Sequence, residues 1–465
     1  MNPTDKNPPV ISPVKSVITA VGNFRWVICG LLFFSTTINY MDRQVIGYLK
    51  DYIFCVPTDQ GGFGWTTTDY GHLTSLFTGV YAFFTIFAGL IIDKIGTKLG
   101  LALALITWSI FGIGNAFVGT LVTAHMFIRS LFGIGEAGNF PASIKTVAEW
   151  FPKRERALAT AIFNAGSNAG AMVAALFVPW CLIHFGNELG WKMAYILTGA
   201  SGFLWLIFWF ALYNPPGKHA RLSKAEYDYI HVDDESAGDQ QAGDTTTKVS
   251  WWRLFRYRQL WAFFAGKFMT DGIWWFYLFW LPDYLNKQFG MTKHQVMLPT
   301  FIVYGVAIVG SIYGGSIPMM LIKRGFGVYK ARMTTMFVIA LFPLTVLLTQ
   351  FFGNVDRFGH MAAILAVAMI CIGCTAHQAW SANLFTTVSD MFPKKTVASV
   401  TGIGTAAGGV GGVLVQLLPG LYIDRLKLST QTEYLLMFML CAFSYLIAWC
   451  IMKALVPRHS PITDL

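Results

Sequence analysis

Long hydrophobic runs alternate with short polar segments along almost the whole chain. A bilayer core about 30 Å thick needs roughly 20 apolar residues for one helical crossing. Runs of this kind predict twelve helices, at residues 25–45, 72–92, 99–119, 122–144, 157–181, 192–213, 259–284, 297–320, 332–352, 360–386, 396–422 and 433–455. The pattern therefore predicts an all-α polytopic membrane protein.

A polar stretch at 214–258 divides the twelve runs into two sets of six. We expect a first six-helix bundle at 1–213, a cytoplasmic linker at 214–258 and a second six-helix bundle at 259–465. Within the linker, the segment 224–230 alternates polar and apolar residues in a way that suggests an amphipathic helix.

The two sets of helices are also related in sequence. The segment 146–153 reappears as 387–394, and the same register persists as far as Gly170 and Gly411. A parallel repeat of six helices is a recognised transporter architecture, in which the substrate binds near mid-membrane between the halves.

The composition agrees with a membrane protein. The chain of 465 residues is 55% hydrophobic and only 12% charged, whereas soluble proteins carry about 25% charged residues. Its net charge of +10 is better explained by basic cytoplasmic loops than by nucleic-acid binding. The basic residues of the short loops favour cytoplasmic positions for both termini, and the N-terminal segment lacks the features of a cleaved signal peptide.

Four charged residues interrupt the apolar runs: Asp42 and Arg43 in the first, Arg129 and Glu136 in the fourth. A charge at bilayer depth costs at least about 2.5–3.5 kcal/mol, so such residues usually face a partner or a polar cavity. Arg129 and Glu136 are two helical turns apart and share one helix face. A guanidinium beside a proton-accepting carboxylate suits a proton-linked pathway for an anion.

The segment 89–98, in the predicted loop between helices 2 and 3, has the pattern G-x-x-x-D-K-x-G-x-K. It resembles the signature of the major facilitator superfamily. Gly89 would allow close helix approach and Gly96 a tight turn, while Asp93 and the adjacent Lys94 would belong to a gating loop that latches one conformer.

A closer resemblance begins at Asn39. The segments 39–44 and 135–142 resemble the anion:cation symporter family, and 149–157 with 163–168 resemble its hexuronate transporter branch. The resemblance implies a twelve-helix major facilitator fold in two pseudo-symmetric bundles, a transporter and not an enzyme.

The resemblance also implies roles for individual residues. Asp42 and Glu136 match the proton-coupling carboxylates of the family. The substrate-binding candidates are Tyr40, Arg43, Tyr81, Arg129, Asn139, Asn164, Ser167, Asn168, His377, Ser381 and Asn383. The amide that the family places on helix 5 falls at Ser167 here, which is a departure from its pattern. Asp271, four residues after Lys267, is either a second coupling acid or half of a structural pair.

The function implied is proton-coupled import of a hexuronate, such as galacturonate or glucuronate, across a bacterial inner membrane. The expected partners are a small organic anion, protons and the lipid bilayer, with no nucleic acid, cofactor or metal, and the protein is expected to be a monomer. An aldonate, an aldarate or an aromatic carboxylate remains an alternative substrate. A uniporter, an exchanger and sodium coupling also stay open.

Overall fold

A computed structural model describes residues 22–231, 251–392, 394–458, 460 and 462. The chain is helical, and we label its main helices in chain order. They are α1 (Phe24–Leu49), α2 (Thr67–Ile95), α3 (Thr97–Gly114), α4 (Val122–Glu136), α5 (Asn139–Trp150), α6 (Lys153–His184), α7 (Gly186–Leu212), α8 (Lys224–Ile230), α9 (Arg258–Phe289), α10 (Lys293–Lys323), α11 (Val328–Leu341), α12 (Met361–Met391), α13 (Lys394–Gly420) and α14 (Thr430–Leu455).

Each of the twelve predicted runs coincides with one long helix or with a pair of consecutive helices. Eight segments of the described chain are long and apolar enough to cross a membrane on length and composition. The predicted runs outside those eight correspond to α1, the α4–α5 pair, α9 and α10. Three of these four carry buried charged side chains, which lower the mean hydropathy of the helix.

The fourth predicted run is interrupted in the structure. Helix α4 ends at Glu136, and α5 begins at Asn139. The glycines at this break allow very close contact with α3, because a Cβ atom on Gly135 would lie 2.5 Å from the backbone nitrogen of Trp108. The run at 332–352 is likewise divided, into α11, a 3₁₀ segment at Phe342–Leu347 and a short helix at Leu348–Phe352.

The glycine-rich motif between helices 2 and 3 is not a loop, contrary to the prediction. Helix α2 continues to Ile95, so Gly89 and Lys94 lie within its last turns. The chain turns at Gly96, whose φ of 85° favours glycine, and α3 begins at the next residue. The side chain of Asp93 lies outside the described part of the structure, so its predicted role as a latch stays a prediction.

Helix packing follows the sequence repeat. Helix α1 packs on α6, and α9 packs on α13, which is the equivalent pair in the second half. Between the halves, α2 packs on α13 and α6 packs on α10, again as equivalent pairs. The main interface between the two sets of helices is therefore formed by these four helices, with α1 and α9 also in contact.

The predicted linker helix is confirmed as α8. Ser223 caps it by accepting a hydrogen bond from the backbone nitrogen of Glu226. Glu226 and Ile230, on one face of α8, are buried against the first half. Glu226 also accepts hydrogen bonds from the backbone nitrogens of Phe24 and Arg25 at 3.2 and 3.0 Å, so it caps the start of α1.

Candidate functional site

The centre of the first half contains a buried ion pair between α1 and α4. Nε of Arg43 donates a hydrogen bond of 2.9 Å to Oε2 of Glu136. The two side chains are only 1% and 0% exposed. The second carboxylate oxygen of Glu136, Oε1, has no hydrogen-bonding partner among the described protein atoms. This carboxylate therefore combines one charged partner with one free acceptor site.

Aromatic rings surround the guanidinium of Arg43. Its Cζ atom lies 4.5 Å from the ring centroid of Tyr40 and 4.6 Å from that of Tyr81. Trp275, on α9, contributes a third ring at 5.0 Å. The negative faces of aromatic rings favour a cation, so the three rings stabilise the charge of Arg43. Because Trp275 belongs to the second half, the site spans the interface between the two sets of helices.

Arg129 lies beside this pair without joining it. The sequence analysis put Arg129 and Glu136 on one helix face. Seven residues span about 10.5 Å along a helix, however, and the ion-pair partner of Glu136 is Arg43. Arg129 donates from Nη2 to the backbone oxygen of Arg43 at 3.2 Å. Its Nε and Nη1 atoms are buried without a hydrogen-bonding partner in the described structure. Arg129 thus keeps free donors of the kind that bind a carboxylate.

Asp42 is adjacent to Arg43 in sequence but belongs to a different environment. The groups that face its carboxylate include Thr198 of α7 and Trp108 of α3. Both carboxylate oxygens are buried, and neither has a hydrogen-bonding partner among the described atoms. The Thr198 hydroxyl donates instead to the backbone oxygen of Ala194. A buried carboxylate without a hydrogen-bonding partner is costly, so a proton or a hydrogen-bond donor would stabilise Asp42.

The predicted substrate-binding residues on α6 and α5 form hydrogen bonds within one helix, between the halves, or between neighbouring helices of the first half. Ser167 is buried and donates to the backbone oxygen of Asn164, whose own side chain is exposed. Asn168 is buried and accepts a 3.3 Å hydrogen bond from Gln378 of α12, which joins the two halves. Asn139 is engaged by Ser35 and Thr36 of α1, so its amide holds α5 against α1 in this conformer.

The second-half candidates lie on α12 but do not share one surface. The ring of His377 stacks on Trp274 at 5.2 Å, and its Nδ1 atom lies 2.8 Å from the Tyr445 hydroxyl. Asn383 donates to the backbone oxygen of Gly314, which ties α12 to α10. Ser381 is partly exposed. Among the described residues, no three His, Cys, Asp or Glu side chains converge as a metal site would require.

A second charged cluster, not predicted from the sequence, lies at the end of the helices that the sequence assigns to the outside. Lys50, in the π-helical turn that extends α1, forms a fully buried ion pair with Asp283 of α9. Asp283 also pairs with Lys287 at 3.2 Å and accepts a hydrogen bond from Tyr434 of α14. Asp51 lies 3.2 Å from Lys50. We call Lys50, Asp51, Asp283 and Lys287 the outer cluster.

Hydrogen bonds between the halves support the outer cluster. At the same end, the Tyr70 hydroxyl donates to the backbone oxygen of Phe279 at 2.9 Å, and Ser75 donates to the backbone oxygen of Val413 at 3.0 Å. Slightly deeper, Gln416 donates to the Thr78 hydroxyl at 2.7 Å. These contacts close α1 and α2 against α9 and α13 at the predicted outer end.

Long apolar helices in two sequence-related sets, with buried charged side chains among them, are typical of a membrane transporter. The chain belongs to the Major Facilitator Superfamily, whose family model matches residues 32–416. The predicted resemblance and fold class are therefore confirmed. The bacterial relatives described next are consistent with a multi-pass membrane protein.

Similar proteins extend over most of the chain. The hexuronate transporter of Escherichia coli (strain K12) is 28% identical over 93% of this chain and 95% of its own length. The D-galactonate transporter of Escherichia coli O6:H1 is 28% identical over 90% of this chain and 96% of its own. The galacturonate transporter of Dickeya chrysanthemi is 30% identical over 65% of this chain and 84% of its own.

Solved structures with the same fold are more distant in sequence. A bacterial homolog of the human lysosomal transporter Spinster, in an inward-facing conformation, is similar with a TM-score of 0.69 at 17% identity, over 95% of this chain and 100% of the other. A D-xylose–proton symporter is similar with a TM-score of 0.68 at 14% identity, over 92% and 98%. These similarities concern the fold.

Proposed function

We propose that this protein imports a sugar-acid anion together with protons, and that the anion is a hexuronate such as galacturonate or glucuronate. The names of similar proteins support the substrate class, since they include transporters of hexuronate, galacturonate and D-galactonate. The membrane is the inner membrane of a bacterium, and both termini are cytoplasmic. The bundles at 1–213 and 259–465 move about the central site.

We call Asp42, Arg43, Arg129 and Glu136 the central cluster. The proposal is carried by the polar atoms of this cluster that have no hydrogen-bonding partner among the described residues. Two Arg129 donors, one Glu136 oxygen and both Asp42 oxygens are buried without a hydrogen-bonding partner in the part of the chain that the structure describes. Free guanidinium donors suit a carboxylate ligand, and free carboxylate oxygens suit protons. A site that binds an anion and protons together is what a proton–anion symporter needs.

The mechanism follows from competition for Arg43. In this conformer Arg43 neutralises Glu136 at 2.9 Å. A substrate carboxylate that binds Arg43 and Arg129 weakens that ion pair, and Glu136 then becomes neutral by taking up a proton. Asp42 carries a second proton nearby. Loading the anion and loading the protons thereby favour each other, and both are released when the site opens to the other side.

The contacts between the halves indicate which conformer this is. They lie at the predicted outer end and at mid-depth, so we propose that this conformer is closed towards the outside. Opening towards the outside requires that the Lys50–Asp283 pair separate. The segment 89–98 at the opposite end would contribute to closing the cytoplasmic side.

Uptake of labelled galacturonate into proteoliposomes under an inward proton gradient tests the proposal. Wild-type protein should accumulate the sugar acid, and Glu136→Gln should abolish accumulation, because the amide cannot exchange a proton. Counterflow of bound substrate should survive in this variant if the central site still folds. Glu188→Gln, at an exposed residue of α7, makes the same chemical change as a matched control and should leave uptake unchanged.

Absence of uptake of any uronate by the wild type would refute the proposal. Full proton-gradient dependence in Glu136→Gln would refute the assigned role of Glu136 while leaving a sugar-acid transporter intact. A pH change in the medium on substrate addition separates the symporter from a uniporter.

A further inference from the structure

The second half contains its own ion pair at mid-membrane, between Lys267 and Asp271 of α9. Nζ of Lys267 lies 2.6 Å from Oδ2 of Asp271. Because the two residues are four positions apart, they lie on the same side of the helix. The central cluster lies entirely in the first half, so this pair brings a charge of each sign to the opposite wall of the site.

The position of Trp275 places the pair on the wall that faces the first half. Trp275 is one further helical turn along the same side of α9, and its ring contacts the Arg43 guanidinium. The Asp271 carboxylate is also one of the ionisable groups whose charge acts on the Tyr40 hydroxyl, together with Arg43 and Glu136. Asp271 therefore belongs to the same central site as the residues of α1 and α4.

The carboxylate is the more accessible of the two charged groups. The Asp271 side chain is 19% exposed, whereas that of Lys267 is 6% exposed. Lys267 is covered by Phe385, whose ring centroid lies 4.4 Å from Nζ. Oδ2 itself packs closely against the neighbouring helix α13, because a Cβ atom on Gly408 would lie 2.2 Å from it.

We propose that Asp271 is a specificity-determining residue that selects sugar acids with one carboxylate over those with two. This inference rests on the proposed function. With the substrate carboxylate at Arg43 and Arg129, the far end of the sugar points towards α9. An ionised carboxylate accepts hydrogen bonds from sugar hydroxyls and repels a second carboxylate. Lys267, whose Nζ lies 2.6 Å from Oδ2, favours the ionised carboxylate but also offsets part of the repulsion.

Such repulsion is a recognised way to obtain specificity, since an unfavourable contact with the wrong ligand adds to the favourable contacts with the right one. Repulsion by Asp271 would distinguish two classes of sugar acid, and the names of similar proteins include substrates of both classes. Hexuronates and galactonate have one carboxylate, whereas galactarate and glucarate have two. The Lys267–Asp271 pair therefore assigns this chain to the first class.

Competition for labelled galacturonate uptake in proteoliposomes tests the inference. The unlabelled competitors are glucuronate and galactonate on one side, and galactarate and glucarate on the other. For the wild type, we expect the diacids to inhibit at least about tenfold more weakly than the monoacids, because a tenfold difference needs only about 1.4 kcal/mol of repulsion. Equal inhibition by both classes would overturn the inference without affecting the proposed function.

Two variants examine Asp271 directly. Asp271→Asn removes the negative charge at almost constant shape, and should bring inhibition by the diacids to within a few-fold of that by the monoacids. The exchange Lys267→Asp with Asp271→Lys retains an i,i+4 pair but presents a cation to the site, and should make the diacids the stronger competitors. Asp356→Asn, at an exposed outer residue, is the matched control and should keep the wild-type preference.

The possible results of these experiments distinguish the inference from the proposed function. If the pair only stabilises α9, both variants that fold will keep the wild-type preference, and the inference is wrong. If the wild type takes up no sugar acid at all, the proposed function fails and the inference fails with it. If Asp271→Asn does not fold, the wild-type competition and the exchanged pair still decide the matter.

Discussion

The central cluster and the outer cluster are both sets of four charged residues, buried except for the partly exposed Lys287 and Asp51, but they differ in how the charges are satisfied. In the outer cluster, each charged group has an oppositely charged partner, and Asp283 has two lysines and a tyrosine hydroxyl. In the central cluster, the described residues form a single ion pair, that of Arg43 with Glu136, and several donors and acceptors have no hydrogen-bonding partner among them.

This difference in partners distinguishes buried charges that stabilise the fold from buried charges that bind a ligand or a proton. A buried charge without a partner is costly, so it persists where a ligand or a proton completes it during function. A charge with several partners holds two elements together, and separating them leaves the charges uncompensated. The outer cluster joins the two halves, whereas the four residues of the central cluster all lie in the first half. The outer cluster is therefore suited to act as a gate, and the central cluster is suited to bind a ligand.

The largest expected effect comes from removing the cation of the central pair. In Arg43→Met, Glu136 loses the ion-pair partner that the described structure gives it, which favours its protonated form, and the substrate loses a guanidinium. We expect uptake to fall by about 100-fold or more, since truncating one partner of a buried charge pair in a binding site costs about 2–5 kcal/mol of affinity. Assays of labelled galacturonate uptake measure this decrease. Arg357→Met, at an exposed outer arginine, is the matched control. Retained uptake in Arg43→Met would contradict the central site.

An intermediate effect is expected at the outer cluster. Lys50→Met removes the cation that joins α1 to Asp283, and should shift the conformers towards the outward-open state. A cysteine at Ser75, which is buried at the interface, reports this shift through its rate of reaction with a membrane-impermeant maleimide, in a background that carries Cys55→Ser. We expect several-fold faster labelling and reduced uptake, with substrate binding retained.

The matched control for the outer cluster is Lys192→Met, at an exposed lysine of α7. It should leave the labelling rate at Ser75→Cys unchanged. Lost substrate binding in Lys50→Met, with unchanged labelling, would show that the outer cluster belongs to the site and would contradict the comparison.

The smallest effect is expected at a third set of contacts, at the opposite end of the molecule. Arg25 bridges Glu155 at 2.8 Å and Glu226 at 3.1 Å, and so holds the linker helix α8 against α1. Glu226→Gln keeps the shape but weakens these bonds, and should cost about 1–2 kcal/mol of stability. We expect a thermal unfolding midpoint lower by a few degrees, with uptake preserved. Glu188→Gln again provides the control.

The sequence by itself predicted the helices and the family. Long apolar runs leave few alternatives to membrane-spanning helices, because every backbone polar group must be hydrogen-bonded within the bilayer. The repeat at 146–153 and 387–394 reflects the equivalent packing of α1 on α6 and of α9 on α13. Charged residues at bilayer depth are rare enough that Asp42, Arg43, Arg129 and Glu136 could be selected on energetic grounds alone.

Tertiary structure decided how those charges combine. Asp42 and Arg43 are neighbours in the chain, yet one faces α3 and α7 while the other pairs with Glu136 of α4. Likewise, Lys50 and Asp283 are 233 residues apart and carry no sequence signal that relates them. Helix periodicity places side chains on a face, but the rotation and approach of neighbouring helices determine which faces meet. Partnership between charges is therefore a property of the folded protein.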